Sequence, residues 1–144
     1  MNLQEQFDDA MFDFSRGELD SAIAKLRAIL AAAPAHFEAQ LALGMAYFRK
    51  GDYAAALEEG HKAERLRPDD QLVHTNLSLF YLKAGDKTRA EHYGLQSRIA
   101  GWRAEARAAR AAQNTTATPA PASAPPKPPV QFPEMPWKKK KTEA

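Results

Sequence analysis

From Leu3 to about Ala104 the apolar residues recur at intervals of three and four, which places them on one face of an α-helix while polar residues fill the other positions. Leu3, Phe7, Ala10, Met11 and Phe14 form the first such stripe, and Glu5, Asp8, Asp9 and Asp13 hold the opposite side. Asn2 and Glu5 have the spacing of a capping box, in which each side chain satisfies the other's backbone N–H. Gly17 supplies the left-handed residue that ends this helix. A second helix is predicted over about residues 19–32, with Ala22, Ile23, Leu26, Ile29 and Leu30 facing inward and Pro34 as its stop. In the next segment Phe37, Leu41, Leu43, Met45, Tyr47 and Phe48 cover most of the circumference, which suits a helix flanked on several sides. Asp52 follows as an N-cap for a fourth helix, and Asp69 or Asp70 for a fifth that carries Leu72, Leu77, Leu79, Tyr81 and Leu82. A sixth begins near Thr88.

The punctuation repeats at a constant spacing of 34 residues. Gly17, Gly51 and Gly85 obey it, as do Ala22, Ala56 and Ala90, and Pro34 and Pro68. A fixed period within about 20–50 residues marks a stacked array of helical units. Gly60 and Gly94 stand at matched places in mid-helix, where glycine costs about 1 kcal/mol relative to alanine. Such a doubled cost predicts close helix–helix approach at both. The third copy departs from the pattern, because Trp102 stands where a third stop proline is due. Helix should therefore resume or continue after Gly101 to about Ala112, with Arg103, Arg107 and Arg110 on one face and Ala104, Ala108 and Ala111 on another. This is the solvating end helix a repeat array needs.

Composition divides the chain in two. Residues 1–113 are nearly neutral, with 15 basic against 16 acidic side chains, whereas residues 114–144 carry five lysines against two glutamates. A neutral body lacks the broad basic face that duplex nucleic acid requires. Eight of the ten prolines also lie in 114–144, and Thr115 to Ala124 is low-complexity Ala/Pro/Thr/Ser. A segment of that composition buries too little apolar surface to offset its ordering entropy, so residues 113–144 are expected to be a disordered tail. Near its end stand Phe132, Met135 and Trp137, followed by Lys138, Lys139, Lys140 and Lys141. The absence of cysteine excludes disulfides, thiolate metal sites and a cysteine nucleophile. The first residues have no basic or apolar leader, and no apolar run approaches the roughly 20 residues of a membrane span, so a cytoplasmic location is expected.

In the second copy Leu43-Gly44, Tyr47, Gly51-Asp52-Tyr53, Ala56, Ala63 and Pro68 fall in a recognisable pattern. The third copy keeps Leu77, Tyr81, Gly85-Asp86 and Ala90, with Ser78 for the small glycine; the first keeps Ala10, Gly17, Ala22 and Pro34, with Asp13 replacing a tyrosine. On these residues the chain resembles the tetratricopeptide repeats. The resemblance implies an all-α fold: three stacked helix-turn-helix units, an α-solenoid, with repeats over about 3–36, 37–70 and 71–104 and a domain reaching residue 112. It also implies a binding module whose first helices line a concave groove. Mapped onto this chain, the groove is Phe7, Met11 and Phe14, then Leu41, Met45, Phe48 and Arg49, then Thr75, Asn76, Leu79 and Lys83.

Family members that hold a C-terminal carboxylate use a cluster of Lys, Asn and Arg. The matching positions here are Phe7, Met11, Ala42, Leu72 and Asn76, so no charge is available for a carboxylate clamp. The groove reads instead as apolar, suited to an amphipathic helix or a hydrophobic extended peptide of a protein partner. The competing assignment is plain packing of Phe7, Met11 and Phe14 against the second repeat, with Asp9 and Asp13 as the polar outer face of a capping repeat. Alternative functions are a membrane- or nucleic-acid-associated tether acting only through the basic tail, and a self-associating scaffold subunit. The segment from Gln113 to Pro129 could span about 50 Å at roughly 3.1 Å per residue, enough for Phe132, Met135 and Trp137 to dock in the groove. His36, His61, His74 and His92 are scattered without metal-ligand spacing, and no phosphate-loop, dinucleotide or nucleophile-elbow motif occurs. No enzyme activity, cofactor or small-molecule substrate is expected.

Overall fold

A computed structural model of the chain describes residues 2–115, and the tail expectations, including Phe132, Met135, Trp137 and Lys138 to Lys141, lie outside the described residues. Six helices follow one another: α1 (Leu3–Ser15), α2 (Leu19–Ala32), α3 (Phe37–Lys50), α4 (Tyr53–Leu66), α5 (Gln71–Ala84) and α6 (Lys87–Thr115). Residues up to Ala108 form one compact unit, and the described residues beyond it are the last turns of α6.

Local chemistry sets the helix ends. Asn2 Oδ1 accepts from the Glu5 N–H at 2.8 Å, and the Asn2 N–H donates to Glu5 Oε2 at 3.2 Å, so the capping box forms. Asp52 accepts from the Ala55 N–H at 3.1 Å, and Asp70 from the Leu72 N–H at 2.9 Å. Gly51 and Gly85 take φ of +90°, where a side chain would be strained, and end α3 and α5. Asp52 and Asp86 then donate their N–H groups back to Tyr47 and Tyr81, which closes the tight turns.

From α1 to α5 each helix packs on the next in sequence, α5 is tied to α6 by the Thr75–Ser97 and Ser78–Ala90 hydrogen bonds, and α1 also touches α3, which in turn touches α5. The first helices of the three units thus form one row. Leu26, Ile29, Leu43, Leu77 and Phe80 are completely enclosed. Each such side chain contributes about 1.5–3 kcal/mol by leaving water. Helix α3 buries the most residues, among them Phe37, Ala39, Gln40, Ala42, Leu43, Gly44, Ala46 and Tyr47, because neighbours flank it on both sides.

Three expectations change. Asp13 is not on an outer polar face. It is buried beside α2, with its carboxylate 2.6 Å from Lys25 Nζ and accepting from Ser21 Oγ at 2.7 Å. Second, the two matched glycines differ. A Cβ on Gly60 would meet Leu77 Cδ2 at 2.7 Å and the Phe80 ring at 3.4 Å, both from the following unit. A Cβ on Gly94 would meet only Ser78 Oγ, at 3.3 Å and from the same unit. Third, the end helix runs to Thr115, past the expected end at about Ala112; the expected continuation through Gly101 and Trp102 holds, because nothing there breaks the hydrogen bonding of the 29-residue α6. Ala104, Ala108 and Ala111 remain exposed on it.

Candidate interaction site

Phe7, Met11, Phe14, Met45, Phe48 and Leu79 come from α1, α3 and α5, and all six are partly buried against one core cluster. Leu41 packs on the adjoining cluster built from Phe37, Ala63, Val73, Leu77, Tyr81 and Ala90. The three helices stand in a row, and each of these side chains is partly buried against the core and partly exposed. The Arg49 guanidinium lies 4.4 Å from the centre of the Phe14 ring, a cation–π contact that bridges α1 and α3. The Phe48 ring stacks on Phe80 at 5.2 Å and tilts against Tyr53 at 5.6 Å, which joins α3 to α5. Phe7 faces His36 at 5.4 Å.

The polar positions behave differently. Thr75 Oγ1 donates to the Gln71 carbonyl at 2.9 Å and accepts from Ser97 Oγ at 2.6 Å, so its hydroxyl is engaged between α5 and α6. Asn76 is half-buried, and Lys83 is exposed. Leu72, on the same helix one turn before Asn76, is 61% exposed and extends the apolar character of α5. The helical spacing of 72, 76, 79 and 83 is the signal that would have added Leu72 to the site.

Open cavities of about 620, 450 and 650 Å³ lie elsewhere, and none is lined by the predicted groove residues. The first lies between α2 and α4, with Arg27, Lys62 and Arg65 facing Glu58 and Glu59. The second lies along the α4–α5 turn, under Ala100 and Arg107 of α6. Among the described residues no group of three His, Asp or Glu side chains is placed to hold a metal ion, and no helix is long and apolar enough to cross a membrane.

Two polar arrangements were not visible in the sequence. Lys25 Nζ lies 2.8 Å from Asp9 and 2.6 Å from Asp13, tying α2 to α1. The hydrogen bond from Lys25, then that from Ser21, holds the Asp13 carboxyl below its ordinary range, and the hydrogen bonds to Asp13, then to Asp9, raise the Lys25 ammonium. Farther along, His61 Nε2 is 2.6 Å from the Tyr81 hydroxyl, while His61 Nδ1 is 3.0 Å from Glu64 Oε1. The Tyr93 ring stacks on Tyr81 at 5.6 Å, and its hydroxyl donates to Glu64 at 3.4 Å. Burial first, and the Glu64 charge second, push the Tyr93 phenol up to about 12. Partners 20 to 29 residues apart meet here only because units stack.

A family model described as tetratricopeptide repeat matches residues 13–71. No curated protein matches the chain. Among solved structures, one of MamA (MSR-1) is similar with a TM-score of 0.67 at 21% identity, over 72% of this chain and 59% of that one. The type III secretion translocator chaperone SycD of Yersinia enterocolitica is similar with a TM-score of 0.66 at 15% identity, over 68% of this chain and 74% of SycD. A chain of the CopN–Scc3 complex is similar with a TM-score of 0.65 at 16% identity, over 68% of this chain and 58% of that one. The chain therefore spans less than two-thirds of the MamA chain it matches, and the likeness is one of fold.

Proposed function

This chain is a tetratricopeptide repeat protein, and on that premise we propose that it is a protein–protein interaction module whose row of first helices binds an apolar helix or extended peptide. The observation that carries the reading is the continuity of half-exposed apolar side chains from α1 through α3 to α5, with Phe7, Met11, Phe14, Leu41, Met45, Phe48 and Leu79 each keeping one flank out of the core. Arg49, Asn76 and Lys83 give the strip a polar margin, and Leu72 prolongs it. Among similar folds, one is described as a translocator chaperone and another as part of a complex, which supports a protein partner in kind.

The apolar strip sets the ligand chemistry. With no charged cluster among its half-buried members, affinity would come from apolar area, at about 25 cal/mol per Å² before the costs of association. Two methionines, Met11 and Met45, let the surface adapt to ligands of different shape. Peptides selected from a random library against the full chain provide the probe. Met45→Glu places a charge in the middle of the strip and should weaken selected peptides by about 30-fold, the equivalent of roughly 2 kcal/mol. Phe12→Gln, on the other side of α1, should leave them unchanged. Equal binding by Met45→Glu, with the helical content intact, would refute the reading.

A further inference from the structure

The 34-residue period makes each junction in the stack comparable with the next, and the two open ends of the array turn out to be built as halves of a junction. Where the third unit joins the second, the Phe80 ring enters a cleft between α3 and α4. It comes within 3.4 Å of where a Cβ would stand on Gly44 and on Gly60, and it stacks on Phe48 at 5.2 Å. Moving this cleft forward by one period gives Ser78, Gly94 and Leu82 on α5 and α6. These residues, with Ala90, line the open cavity of about 650 Å³ at the end of the stack. Leu82 is 52% exposed there, because among the described residues no following helix covers it as Phe80 covers Phe48.

The opposite end carries the matching plug. Moving Phe80 back by two periods gives Phe12 on α1. Phe12 is 57% exposed, although its counterparts Ala46 and Phe80 are fully enclosed. An aromatic ring is thus presented at the position that, elsewhere in the array, fills the cleft. The charges around the two ends also complement each other. Glu5, Asp8 and Asp9 precede Phe12 on α1, outnumbering the Arg16 guanidinium that lies 5.5 Å from its ring centre, whereas Lys87 and Arg98 flank the cleft together with a single Glu91. Arg98 stands one period beyond Glu64, so the sign at that place is reversed relative to the internal junction.

We propose that the cleft formed by Ser78, Leu82, Ala90 and Gly94 receives α1 of a second copy of this chain, with Phe12 as the plug, so that molecules join head to tail. The contact is heterologous, and each assembly keeps one free head and one free tail, so growth continues beyond a dimer. It is weaker than an internal junction. The head carries Asp9, held 2.8 Å from Lys25, where the internal junction has the enclosed Leu77. Association is accordingly reversible and rises with concentration.

Sedimentation velocity on the full chain, over micromolar to millimolar concentration, tests this. The wild type should grow past dimer, while Phe12→Gln and Leu82→Gln should each raise the dissociation constant at least ten-fold. Mixing the two variants leaves one intact head and one intact tail, and should restore association that stops at a one-to-one dimer. Gly94→Gln, which fills the cleft, should behave as Leu82→Gln does, and far-UV circular dichroism checks that each variant is folded. A wild type that stays monomeric throughout overturns the proposal. So does a folded Phe12→Gln or Leu82→Gln that still assembles alone, or a mixture that stays monomeric.

Discussion

A single methyl group at Gly60 and the same group at Gly94 should have opposite effects, although the sequence around the two glycines repeats. In either helix, replacing glycine by alanine removes a backbone-entropy penalty of about 1 kcal/mol. At Gly60 the new Cβ would stand 2.7 Å from Leu77 Cδ2 and 3.4 Å from two atoms of Phe80. Leu77 and Phe80 are fully buried, so neither can swing aside without disturbing the junction between the second and third units. Overpacking of this kind costs about 1–3 kcal/mol, which offsets or exceeds the propensity gain. At Gly94 the Cβ meets Ser78 Oγ at 3.3 Å and nothing else within 4 Å. A shift of a few tenths of an ångström at a hydroxyl that donates to the Ala90 carbonyl at 2.7 Å is a small adjustment. Gly94→Ala should therefore gain roughly 0.5–1 kcal/mol, and Gly60→Ala should be neutral or lose up to about 2 kcal/mol. Urea unfolding at low micromolar concentration, with unchanged m-values, measures both. Gly60→Ala at least as stabilising as Gly94→Ala would refute the account of the junction.

Two further predictions concern titration. The folded state holds the Asp13 carboxyl below its ordinary range through Lys25 and Ser21, so its contribution to stability is complete above about pH 4, the unfolded value, and is lost as pH falls through the folded value. Thermal melts should show Asp13→Asn lowering the midpoint at pH 7 and flattening the acid limb, whereas an unaltered acid limb would remove Asp13 as its cause. Tyr93 runs the other way. Its neutral form is favoured in the fold, so its contribution is present below about pH 10 and is lost as the unfolded phenol ionises between there and about 12. Phenolate absorbance should show a last step near 12 that Tyr93→Phe removes. If the last step persists in that variant, it belongs to another of the four tyrosines.

What the chain determines by itself is local. The capping of α1 by Asn2 and Glu5, the caps at Asp52 and Asp70, the left-handed Gly51 and Gly85, and the end of α2 at Ala32 before Pro34 all depend on residues within a few positions. The 34-residue repeat follows from the recurrence of those signals, and it carries the family and the stacking order with it. Which side chains the stack encloses depends on neighbours that periodicity alone does not supply. Asp13 reads as a surface acid because its partners, Lys25 and Ser21, belong to the next helix and approach only once α1 and α2 pack. Gly60 and Gly94 look alike in the chain, yet one receives Leu77 and Phe80 and the other faces a cavity, because a unit follows the first and none follows the second among the described residues. Phe12 and Leu82 are exposed for the same reason: each repeats a position that is covered inside the array, and neither has a neighbouring unit over it among the described residues. Local signals fix the unit, and the neighbours packed against it among the described residues decide which of its faces are covered.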